Sequence, residues 1–81
     1  MARPRYPELN RQLLERERRR QGLTLADLAR RCHERGDKNV DETALSRYER
    51  GEVRPGPNRL LILAQALGVT VDDLLAEEIA A

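Results

Sequence analysis

The stretch VDETALSRYERG, Val40–Gly51, begins acidic and ends basic, and its reading decides the fold. Asp41 is a good N-cap, because its carboxylate can accept a hydrogen bond from a backbone N–H that a helix's first turn leaves unpaired. Val40 before it is an apolar staple. Glu42–Arg50 then reads as a helix with Leu45 and Tyr48, three apart, on its inner side, and Gly51 terminates it. The other side is polar: Glu42, Thr43, Ser46 and Arg47.

Upstream, Asp37, Lys38 and Asn39 form a turn after Gly36. Before it, Leu25, Leu28, Ala29 and Cys32 follow at i, i+3, i+4 and i+7, the apolar face of a helix running to about Arg35. Thr24 caps that helix, with Asp27 in the reciprocal position three residues on. Gly22 ends an earlier helix, expected from Pro7 at its first turn to about Gln21. Pro4 and Pro7 break residues 1–7 into an extended basic arm, and residues 8–81 are read as one domain.

Downstream, EVRPGP is a loop of helix breakers, with Gly56 as N-cap and Pro57 as first helical residue of the next element. The fourth helix carries Leu60, Leu61, Ile62, Leu63, Ala64, Ala66 and Leu67 on nearly every face, which predicts a central helix surrounded by the others. Gly68 closes it. Thr70 with Asp73 caps a last short helix bearing Val71, Leu74, Leu75 and Ile79.

Composition agrees with this all-α reading. At 81 residues, with no Trp or Phe and two Tyr, the chain has material for one small core of Leu, Ala, Val and Ile. The single cysteine, Cys32, permits no internal disulfide, and no apolar run reaches membrane-spanning length, so a cytoplasmic protein without a membrane is expected. The formal net charge of +1 hides an asymmetry: residues 1–51 hold thirteen Lys or Arg against nine Asp or Glu, while residues 52–81 hold two against five. A basic partner surface belongs in the first two thirds.

The ordered set GLTLADLARR, VDETALSRYERG, a Pro-containing loop and LLILAQALGVTVDDLL resembles the Cro and lambda-repressor-like (XRE-type) helix-turn-helix family over roughly residues 9–76. The resemblance implies a compact five-helix, lambda-repressor-like DNA-binding domain containing a helix-turn-helix. One departure falls at the centre. Seventeen positions separate Leu28 from Leu45, and family members usually have about six fewer. HERGDK, residues 33–38, is therefore read as an insertion that lengthens the second helix by about one turn and the loop after it.

In that family the third helix lies in the major groove. Carried over by position, the base-reading residues are Glu42, Thr43, Ser46 and Arg47. Arg47 can donate two hydrogen bonds to guanine, Thr43 can touch a thymine methyl, and Glu42 can accept from cytosine. An acid at this place suits the positive end of a helix and penalises wrong sequences. Thr24, Lys38, Asn39, Arg50 and Arg54 are the candidates for backbone phosphates, and Arg3 and Arg5 on the arm could follow the backbone or enter a minor groove. The family usually carries a polar residue just after the cap of helix two, where this chain has Leu25. Arg18 and Glu49 match a family ion pair between helices one and three that orients the reading helix.

Other residues support no chemistry. Cys32 and His33 lack a second Cys or His to complete a metal site, so Cys32 is read as core and His33 as exposed. ERERRR, residues 15–20, alternates in sign as a solvated helix face does. Asp72, Asp73, Glu77 and Glu78 have no neighbouring base or nucleophile, so no enzyme, catalytic residue or cofactor is expected. The partner implied is double-stranded DNA, bound by a homodimer joined through Val71, Leu74, Leu75 and Ile79, and the function a sequence-specific transcriptional regulator, a repressor acting by promoter occlusion. The alternative is a protein-interaction module, such as an antitoxin that binds a partner protein and autoregulates its operon.

Overall fold

Five helices, α1 Arg11–Arg20, α2 Leu25–Glu34, α3 Glu42–Arg50, α4 Pro57–Leu67 and α5 Val71–Leu75, make up the computed structural model, which describes residues 10–75. No strand occurs among the described residues.

Local chemistry sets most boundaries. In α2, Thr24 and Asp27 close a capping box: the Thr24 hydroxyl accepts from the Asp27 N–H at 3.0 Å, and the Thr24 N–H donates to the Asp27 carboxylate at 3.0 Å. Thr70 and Asp73 repeat the device at α5. Asp41 accepts from the Ala44 N–H at 2.8 Å to start α3. Gly51 ends it at φ 76°, a left-handed conformation that lets the Glu52 N–H donate back to the Arg47 carbonyl at 2.9 Å. α4 begins at Gly56 and Pro57, as the sequence predicts.

α1 departs from expectation. Asn10 is extended at φ −88° and ψ 103°, and its side chain accepts from the N–H groups of Gln12 and Leu13, so α1 starts at Arg11; Pro7, the expected first-turn residue, lies outside the described residues. That side chain satisfies two of the first turn's orphan donors. The Asn10 N–H also donates to the Leu74 carbonyl at 2.9 Å, joining the start of α1 to α5.

The helices close a ring: α1 packs on α3 and α5, α2 on α3 and α4, and α4 on α5. Leu14, Leu28, Cys32, Leu45, Leu63 and Leu74 meet inside it, each at most 1% exposed. α4 is thus one member of the ring and not its hub, and its Leu61 is 48% exposed. Apolar residues on every face show that a helix can be central; they do not supply the neighbours to cover it. Leu74 corrects a second expectation. It is a core residue of this chain, so it is no part of a dimer surface, whereas Val71 and Leu75 are half-buried against the core and Ile79 lies outside the described residues.

Candidate nucleic-acid interface

α3 separates its faces sharply. Leu45 is fully buried and Tyr48 is 6% exposed, while Glu42, Thr43, Arg47 and Arg50 are exposed and Ser46 half-exposed along the opposite side. Positions i, i+1, i+4, i+5 and i+8 fall on one stripe of a helix. The Ser46 hydroxyl accepts from Arg50 Nη1 at 2.5 Å, and the same guanidinium donates from Nε to Glu52 at 2.8 Å. Arg50, expected at a phosphate, is therefore laid across the stripe. Its pairing with Glu52 holds that carboxyl below the usual carboxylate range.

Two ties hold the other side of α3. Arg18 of α1 donates from Nε and Nη2 to the two carboxylate oxygens of Glu49, at 2.6 and 3.0 Å, and from Nη1 to the Leu23 carbonyl at 2.8 Å. The two side chains are 11% and 8% exposed. Arg59 of α4 reaches Tyr48, donating from Nη1 to its hydroxyl at 3.1 Å, and grips Asp37 of the inserted connection through Nε at 2.5 Å and Nη2 at 2.9 Å. Those two hydrogen bonds hold the Asp37 carboxyl below its ordinary range.

The insertion is ordered by such contacts. α2 ends at Glu34, Gly36 turns at φ 103°, and Asp37 also accepts from the Asn39 N–H at 3.2 Å. His33 is half-buried with Nε2 2.6 Å from the Val40 carbonyl, so Nε2 carries the proton and donates it. It was expected to be exposed; the connection folds back over the last turn of α2 and covers it. Lys38 and Asn39 stay exposed. In the sequence Asp37 and Lys38 cancel in charge; in the fold Asp37 turns inward to Arg59, and the outer side of the connection presents Lys38 and Arg35.

Thr24 is exposed at the start of α2, its oxygen engaged in the cap. Asp27 beside it is drawn below its ordinary pKa, first by the Thr24 N–H. Arg54 lines a cleft between the start of α1 and the loop after α3, shared with Arg11, Gln12, Gly51 and Val53. In the sequence Arg11 is one cation among many on a charged helix, and only the fold sets it over Gly51. Arg3 and Arg5 lie outside the described residues. Among the described residues no three His, Cys, Asp or Glu gather as metal ligands, and no helix is long and apolar enough to cross a membrane.

Two helices joined across the α2–α3 connection, the second with a polar outer stripe and an anchored inner side, define a helix-turn-helix. The helix-turn-helix family HTH_3 matches residues 14–74, and the chain belongs to that family. Among solved structures it is similar to the P22 c2 repressor in complex with synthetic operator 9T in the presence of Tl+, with 27% identity and a TM-score of 0.72, covering 88% of this chain and 98% of that one. It is also similar in fold to the hypothetical transcription factor NHTF from Neisseria, at 24% identity and a TM-score of 0.66, covering 91% of this chain and 86% of that one. No curated protein matches.

Proposed function

We propose that this chain is a sequence-specific, double-stranded-DNA-binding transcriptional regulator, a repressor that works by occluding promoters, with α3 in the major groove. The observation that carries the reading is the anchored helix with its outward polar stripe, Glu42, Thr43, Ser46 and Arg47. Family membership supports a DNA-binding regulator, and the similar P22 c2 repressor is described in complex with an operator.

Arg47 donates to a guanine, Thr43 and Ser46 contact base edges, and Glu42 selects cytosine and rejects misplaced phosphates. Thr24, Lys38, Asn39 and Arg54 meet phosphates, and Arg11 extends the set beside Arg54. Arg50 serves the backbone once DNA competes with Glu52 for its guanidinium. Arg3 and Arg5 reach the adjacent minor groove. The chain binds as a homodimer, two copies on half-sites about one helical turn apart.

Selection of sites from a randomised duplex library at near-physiological salt tests this. An enriched inverted repeat is expected. A folded protein that enriches no sequence overturns the reading and directs the search to a protein partner.

A further inference from the structure

Arg59 stands in the first turn of α4, where the helix dipole disfavours a cation and that turn holds no acidic residue. Its compensation comes from another part of the chain. The guanidinium fork takes Asp37 from the inserted connection, 22 residues away, and its remaining arm takes the Tyr48 hydroxyl of α3. Arg59 and Asp37 are only 26% and 10% exposed, so the pair is screened less than a surface bridge.

The ties to α3 come from two directions. Glu49 is held by Arg18 of α1, and its neighbour Tyr48, about 100° around the helix, is held by Arg59 of α4. Buried Leu45 and Tyr48 set the rotation of α3 coarsely, and polar ties on two adjacent residues narrow what remains. The second also seizes the connection leading into α3, the place where added length would otherwise leave the helix loosely aimed.

We propose that Arg59 and Asp37 are positioning residues for base reading: their clamp on Tyr48 and the inserted connection sets the rotation of α3. This rests on the DNA-reading function proposed above. Base-edge hydrogen bonds need close alignment, whereas phosphate contacts from long flexible cations tolerate a shift. Loosening the clamp therefore lowers discrimination and leaves sequence-independent binding in place.

The test compares the wild-type chain with Asp37→Asn and Tyr48→Phe, at a temperature where circular dichroism shows all three folded. Each is titrated with the library-selected duplex and with a random-sequence duplex of equal length, at the same salt. The expected result is a fall of about tenfold in the ratio of selected to random affinity for Asp37→Asn, a smaller fall for Tyr48→Phe, and unchanged random-duplex binding. Tyr48→Phe removes one hydroxyl and preserves the ring's packing, so it tests the clamp even if Asp37→Asn unfolds. An unchanged ratio in the folded variants, or equal losses on both duplexes, overturns the proposal. A wild-type protein with no preference between the duplexes overturns the DNA-reading function itself, a failure visible before any variant is measured.

Discussion

Arg18 and Glu49 form a two-bond ion pair between α1 and α3, at 2.6 and 3.0 Å, with both side chains nine-tenths buried or close to it. Removing one partner leaves a nearly buried charge with too few hydrogen bonds. Glu49→Ala should cost about 3 kcal/mol in urea unfolding. Replacing both residues with Met should cost less than Glu49→Ala alone, because no unpaired charge remains. A double variant less stable than the single one would contradict this account of the pair.

Gly51 is held at φ 76°, and a Cβ built on it would lie 2.7 Å from Arg11 Cδ. Gly51→Ala should lose about 1–2 kcal/mol from the backbone conformation and the collision together. Adding Arg11→Ala should recover the collision and leave the conformational part. Thermal unfolding of the two variants checks the division, and no recovery would show that the contact is already relieved by the flexible Arg side chain.

Much of this fold is legible from pairs of residues three apart. Thr24 with Asp27 and Thr70 with Asp73 mark helix starts because both partners lie in one turn. Gly51 and the Gly56–Pro57 step mark ends and starts through backbone conformation alone. The outward stripe of α3 follows from the spacing of Leu45 and Tyr48. Arg18 and Glu49 are 31 residues apart, and only the family resemblance suggests their meeting. Asp37 and Arg59 have no such guide: Asp37-Lys38-Asn39 reads as an ordinary turn, and its carboxylate finds Arg59 only once α2, α3 and α4 are packed. The same limit explains α4, whose apolar residues do not reveal which neighbours exist to cover Leu61.

Asp37 gives a pH signature. Arg59 depresses its folded-state pKa, so ionisation of Asp37 favours the folded state. That stability is fully present above the unfolded value of about 3.9 and is lost as pH falls through the depressed folded value. Thermal midpoints measured from pH 6 to pH 2 should drop less steeply below pH 4 in Asp37→Asn than in the wild type. Parallel acid limbs would mean that Asp37 contributes no linkage.

Cys32 is fully buried, and loss of hydration pushes its thiol up to about 11. A neutral, inaccessible thiol is a poor nucleophile. At pH 8 the native protein should react with a disulfide reagent only at the rate of opening, and the urea-unfolded chain promptly. Equal rates in both states would place Cys32 at the surface.

Base reading by α3, as proposed, turns on Arg47, and it is checked by the affinities of wild type and Arg47→Ala for the selected site and for every single-base-pair substitution of it. Arg47→Ala should lose about 1–3 kcal/mol on the selected site, together with discrimination at one base pair only. A uniform loss across the whole panel, such as Arg54→Ala should give, would make Arg47 a phosphate contact and rule out base reading through it.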